Sequence, residues 1–184
     1  LGPLFARFGE VKSAYPGGDR IGARSITTHL NVFRAFGAEI YEEPEGITIR
    51  KVQEFRNAKI VLRELSVTAT ENALMAATLA EGETVMNNAA CEPEIIDLAK
   101  CLTAMGAKIE GAGTSHIVIH GVEKLHAARH TIVADRIEAG TYAIAAGITN
   151  GCIRLKNIEM WVLGGFKEEL EKAGISVTQV GERE

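Results

Sequence analysis

Cysteine is scarce in this chain of 184 residues. Cys91, Cys101 and Cys152 are the only three, an odd number with no C-x-x-C spacing. That excludes a disulfide framework, offers no zinc-ligand pattern and fits a cytosolic origin. Long apolar runs are also missing: nothing approaches the ~18 uninterrupted residues of a membrane span. A basic excess is missing too: 20 basic against 24 acidic residues leave a net charge of −4. This balance argues against nucleic acid as a partner. The chain has no initiating Met, and its opening run Leu1-Gly2-Pro3-Leu4-Phe5-Ala6-Arg7-Phe8-Gly9 lacks the form of a secretion signal. It reads as the end of an element, so the expectation is a piece of a longer protein. What is present excludes disorder, because 46% of residues are hydrophobic and the net charge is low. The length allows one domain or parts of two.

A repeat organises the sequence. Phe33-Arg34-Ala35-Phe36-Gly37-Ala38-Glu39-Ile40, Leu102-Thr103-Ala104-Met105-Gly106-Ala107-Lys108-Ile109 and Leu170-Glu171-Lys172-Ala173-Gly174-Ile175-Ser176-Val177 each read as a helix end, a Gly stop and a strand. Their glycines stand 69 and 68 residues apart, and a second register at Gly9, Gly82 and Gly151 has spacings of 73 and 69. A constant period marks a repeated supersecondary unit. In the middle unit, Lys59-Ile60-Val61-Leu62 is a strand, and Thr68-x-x-Glu71 reads as a capping box for a helix running to about Glu81. Thr84-Val85-Met86 is a second strand. Pro93 opens a helix whose apolar face carries Ile95, Leu98, Leu102 and Met105. A hairpin follows, with Ala107-Lys108-Ile109 and His116-Ile117-Val118-Ile119-His120 flanking a turn at Gly111–Thr114. The unit is therefore β-α-β-α-β-β. A third unit is expected to begin near Thr131-Ile132-Val133, giving about two and a half units in all.

The first unit carries an insertion. Gly9 to Gly37 spans 28 residues, against 24 and 23 for the equivalent intervals. The excess lies in Pro16-Gly17-Gly18-Asp19-Arg20-Ile21-Gly22-Ala23-Arg24, and insertions on one face of a repeat array are common binding loops. Its glycines permit close backbone approach to a ligand. Arg24 stands just before a helix start, where a phosphate or carboxylate is favoured. On composition alone, a solvent-exposed Gly-rich loop with ordinary surface charges accounts for the same residues.

Pro16-Gly17-Gly18-x-x-Ile21-Gly22-Ala23-Arg24 with His29, Ala76-Ala77-Thr78-Leu79-Ala80-Glu81-Gly82, Asn88-Ala89-Ala90-x-Glu92-Pro93-Glu94-Ile95 and Asp135-Arg136-Ile137-Glu138-Ala139-Gly140-Thr141 together resemble the UDP-N-acetylglucosamine 1-carboxyvinyltransferases. The resemblance covers nearly the whole chain and weakens after about Asn157. It implies an α+β fold, part of an enolpyruvyl transferase-like inverse α/β barrel. Residues 1–133 would belong to the first domain and residues 134–184 would start the second. It also implies a cytoplasmic transferase of peptidoglycan biosynthesis, and so a role in cell wall biogenesis, cell shape and cell division. The reaction would move enolpyruvate from phosphoenolpyruvate to the 3-hydroxyl of UDP-N-acetylglucosamine. No cofactor, metal, nucleic acid or membrane partner is implied.

By the same resemblance, Asp19 takes the position of the family's loop Cys, the thiol that fosfomycin alkylates, and would be the proton donor. An ordinary Asp, with pKa about 3.9, is ionised near neutrality, so this role requires a raised pKa. Arg24, Ser25, Ile26, Thr27 and Thr28 form one substrate-binding run, and Glu64, Leu65, Ser66 and Val67 the other. The family usually has Asp where Thr27 stands and Lys where Glu64 stands. His29 and Glu92 would support the site, though helix packing and capping explain them equally well. His116 and His120 share a strand face, and His126 and His130 are expected on a helix face, but no further ligand completes a metal site. Trp161 is expected to pack in a core with Met160, Val162 and Leu163. The family's Lys-Asn pair and C-terminal arginines have no counterpart here, which implies inactivity of this chain alone. Two other readings remain: a shikimate-pathway enolpyruvyl transferase, and a non-catalytic repeat-fold binding module or remnant.

Overall fold

The computed structural model describes residues 1–15, 17, 25–52 and 54–183. Contacts divide the chain into two compact units, residues 1–130 and 131–184.

Unit 1 opens with α1 (Gly2–Phe8), β1 (Glu10–Ser13), α2 (Thr27–Ala35), β2 (Ala38–Glu43) and β3 (Gly46–Lys51). It continues with β4 (Lys59–Val61), α3 (Val67–Ala77), β5 (Glu83–Asn87), α4 (Pro93–Ala104), β6 (Lys108–Glu110) and β7 (His116–His120). The second series is the β-α-β-α-β-β unit expected from the sequence. Two sheets result, one antiparallel in the order β1-β3-β2 and one mixed in the order β4-β5-β7-β6. In the mixed sheet β4 runs parallel to β5, while β7 lies antiparallel to β5 with Glu83 opposite His120 and Asn87 opposite His116.

The strands are buried on one face. Ile60, Met86, Ile117 and Ile119 point into the core, while Lys59, Val61 and Glu83 alternate outward, the period of two that a half-covered sheet requires. α3 is the hub, packing against α1, α2 and α4. Its Ala69, Ala73, Ala76 and Ala77 are fully buried. Such small side chains let neighbouring helices approach closely. At the α1 crossing even a methyl group on Gly2 would collide with the Asn72 carbonyl. The aromatic residues collect beside this crossing, where Phe5 meets Phe33 and Phe55 edge-on with centroids 5.2 and 5.3 Å apart.

Four repeat glycines behave as helix stops: Gly9, Gly37, Gly106 and Gly174 follow helix ends directly with positive φ, the left-handed conformation that closes a helix. Gly82 also holds positive φ but lies five residues past the end of α3, directly before β5. Gly151 departs too: Asn150, one residue earlier, takes that conformation with φ 50°. Asn tolerates it through its short polar side chain.

Unit 2 contains α5 (Arg136–Ile148), a 3-10 turn (Met160–Leu163) and α6 (Phe166–Lys172). The strand expected near Thr131-Ile132-Val133 does not form, and no strand occurs among its described residues. A strand exists only through a paired ladder, and here the segment finds none. Trp161 also departs from expectation. It lies half exposed with its indole N–H donated to Glu159, while Val162 takes the buried position. A 3-10 turn directs successive side chains around its axis, so the four apolar residues cannot all face inward.

Candidate functional site

Two helix starts, α2 and α3, carry the expected binding runs. Before α2, the Ser25 hydroxyl accepts the Thr27 amide at 3.0 Å and contacts the Thr27 hydroxyl. Ile26 occupies the N-cap position without a side-chain cap. Before α3, Ser66 is the true N-cap. Its extended backbone lets Oγ accept the Ala69 amide at 3.2 Å. The capping box expected at Thr68 is therefore displaced, because Thr68 is already inside the first turn. α3 also ends at Ala77 rather than near Glu81, finishing in tight turns from Leu79 to Ala76 and from Ala80 to Ala77.

His29 joins these two starts. Its Nδ1 lies 3.2 Å from the Asn72 side-chain amide, and its Nε2 lies 3.3 Å from the Thr68 hydroxyl. The Asn72 oxygen accepts the Gly2 amide at 2.7 Å, which directs the Asn72 NH2 toward His29. Nδ1 must therefore be the acceptor, and Nε2 carries the proton and donates to Thr68. Half-burial holds the imidazole below the ordinary histidine range, in keeping with this neutral tautomer. The structure thus brings the Ser25–Thr28 and Glu64–Val67 runs to adjacent helix N-termini, whose free N–H groups favour anions. Glu64 and Leu65 are exposed, while Ser66 and Val67 are half-buried. Asp19 and Arg24 lie outside the described residues.

A third segment closes on the same region. Thr70 is fully buried. Its hydroxyl donates to the Ser66 carbonyl at 2.8 Å and accepts the Ala90 amide at 3.0 Å. Asn88, at φ 57°, donates its side-chain amide to the Leu62 carbonyl at 2.8 Å. The loop leading to Glu92 is thereby tied to the start of α3 and the end of β4. Glu92 itself stands at the N-cap of α4 with no side-chain cap bond. Glu71 is shifted above the ordinary carboxylate range, first by burial and then by the charge of Glu94. Thr70, Asn72 and Asn88 hold this region together. For Thr70 and Asn72 the sequence signal is a polar residue punctuating the Ala-rich α3, whereas Asn88 lies in the loop after β5, outside any helix.

Between α2 and β4 runs an open groove of about 360 Å³, lined by Thr28, Asn31, Arg34, Lys59 and Arg63 over the apolar Val32, Ile60 and Leu62. Arg34 bonds Asn31 at 3.0 Å and Glu42 at 3.4 Å.

The histidines take separate roles. His116 contacts Asn87 at 2.9 Å, and His120 lies 3.8 Å from Glu83. His126 and His130 sit in irregular chain rather than on a helix, with His130 against Asp97 at 3.0 Å. The segment is held by bonds such as His126 N–H to the Met105 carbonyl, which lie outside any helical ladder. Among the described residues no group of three or more His, Cys, Asp or Glu side chains converges, and no helix is long and apolar enough to cross a membrane.

Comparison with known proteins bears on the whole chain. The family model for EPSP synthase (3-phosphoshikimate 1-carboxyvinyltransferase) matches residues 1–184. A UDP-N-acetylglucosamine 1-carboxyvinyltransferase from Acidiphilium cryptum (strain JF-5) is 51% identical over 182 residues, covering 99% of this chain and 44% of that protein. The chain thus spans less than half the length of this curated relative. Among solved structures, the enolpyruvyl transferase NikO from Streptomyces tendae superposes with a TM-score of 0.73 at 21% identity, over 98% of this chain and 44% of that one. An EPSP synthase from Acinetobacter baumannii gives 0.67 at 22% identity, over 93% and 39%. These two likenesses establish the partial α+β enolpyruvyl transferase fold.

Proposed function

Because this chain belongs to the EPSP synthase family, a family of carboxyvinyl transferases, we propose that the protein transfers enolpyruvate from phosphoenolpyruvate to the 3-hydroxyl of UDP-N-acetylglucosamine. The observation that carries this reading is the 51% identity, over 99% of the chain, to a relative named for that acceptor. The adjacency of the α2 and α3 starts, bridged by His29, supports it by offering one place for a phosphorylated nucleotide.

The sugar hydroxyl gives up its proton and adds to C2 of phosphoenolpyruvate while C3 takes a proton. Loss of a C3 proton and cleavage of the C2–O–phosphate bond then restore the double bond and release phosphate, which overall carries away the hydroxyl's proton. Asp19 delivers the first proton, which requires it to be protonated in the closed site. The substrate's phosphate and carboxylate favour that form, while Arg20 and Arg24 oppose it. Arg24 neutralises substrate anions. Ser25–Thr28 and Glu64–Val67 hold the nucleotide, with His29 and Glu92 in support. The first domain extends to about residue 133 and the second begins after it. The product belongs to peptidoglycan synthesis in the cytoplasm.

Binding tests the acceptor. Calorimetric titration of the full-length protein is expected to show saturable UDP-N-acetylglucosamine binding that UDP-glucose does not match. Equal affinity for the two, or none for either, contradicts the reading.

A further inference from the structure

The groove between α2 and β4 is unbalanced in charge. Three cations line it, Arg34, Lys59 and Arg63, and no acidic side chain does. Arg34 is committed to Glu42 and Asn31. Among the described residues no carboxylate pairs with Lys59 or Arg63. The floor is apolar and closed to water: Val32, Ile60 and Leu62 are 0%, 3% and 2% exposed. A low-dielectric wall beneath uncompensated cations strengthens their field over the groove. Thr28 and Asn31 add neutral polar groups on the opposite wall. The volume falls within the range of small-molecule sites.

Position links this groove to the proposed nucleotide site. Thr28 belongs both to the groove and to the binding run at the start of α2. Arg63 immediately precedes Glu64 in the second run, and Glu64 does not line the groove. An anionic Glu64 is unsuited to holding phosphate, whereas the planar fork of Arg63 suits paired phosphate oxygens, and Lys59 adds a second cation to the same groove.

We infer that this groove is a phosphate subsite, in which Arg63 and Lys59 bind the diphosphate of the nucleotide acceptor. The inference rests on the nucleotide reading above and deepens it by naming which side chains carry the phosphate recognition.

The test titrates the full-length protein and its Arg63→Ala and Lys59→Ala variants with UDP, uridine and pyrophosphate. UDP is expected to bind at least about tenfold more tightly than uridine, since a charge-assisted hydrogen bond is worth that much. In Arg63→Ala that advantage falls to about one while uridine affinity stays as it was, and Lys59→Ala gives a partial loss. An undiminished UDP advantage in Arg63→Ala overturns the groove and leaves the nucleotide reading standing. Pyrophosphate binding that depends on Arg63, in a protein that binds neither UDP nor uridine, supports the groove and sinks the nucleotide reading.

Discussion

His29 ties proton chemistry to the stability of unit 1. Its Nδ1 accepts from Asn72, and burial holds its pKa below the ordinary histidine value. As pH falls through about 6.5, the unfolded chain takes up a proton that folded His29 refuses. The stability His29 contributes is therefore complete above that pH and is lost as pH falls toward its depressed folded value. Urea titrations at pH 7.5 and 5.5 are expected to show a smaller loss of stability in His29→Gln than in the natural chain. An identical loss would show that the imidazole titrates as freely as in the unfolded state. Asp19 carries a separate prediction. A carboxylate is a far poorer nucleophile than a thiolate, so the full-length protein is expected to survive fosfomycin without a mass adduct on the 16–24 loop. Asp19→Cys is expected to restore rapid inactivation. Time-dependent alkylation of the natural protein would remove this role for Asp19.

The start of α3 is where local sequence and tertiary structure meet. Thr70 is enclosed and satisfies two backbone groups, one of them the Ala90 amide across the fold. Thr70→Val keeps the shape but leaves that amide without its acceptor, which costs about 1–3 kcal/mol. Ser66→Ala loses the cap and costs about 1 kcal/mol. Denaturant midpoints check both, and unchanged midpoints would mean that water or a relaxed backbone replaces these bonds. The same region shows what a sequence can disclose. The unit order, the Pro93 helix start and the 107–120 hairpin were legible because each has a local signal: a period, a fixed φ or a turn. The cap was misplaced at Thr68 because two hydroxyl residues two positions apart carry equal local preference. Only the extended backbone of Ser66, set by β4 and the loop before α3, decides between them. The roles of Thr70 and Asn88 depend on partners 20 and 26 residues away, which no local pattern contains. The strand expected at Thr131–Val133 failed for a related reason, since pattern supplies a strand's side chains but not its neighbour.

At the scale of the molecule, the two units differ in how much core they possess. Unit 1 joins both sheets and its four helices through one continuous cluster running from Phe5 to Ile119. Unit 2 has a cluster of Ala139, Ile158 and Val162, and leaves Ile132 and Ile148 each 79% exposed. So small a core cannot offset the entropy of ordering about 50 residues. Residues 1–130 produced alone are expected to give a dispersed amide NMR spectrum, and residues 131–184 alone a collapsed one. A dispersed spectrum from the latter would show that unit 2 is stable by itself. The acceptor of the enolpyruvyl group decides the function of the molecule. Phosphate release from phosphoenolpyruvate by the full-length protein identifies it, with UDP-N-acetylglucosamine or shikimate 3-phosphate as acceptor. Release that requires UDP-N-acetylglucosamine is the predicted result, and release only with shikimate 3-phosphate, or with neither acceptor, would contradict it.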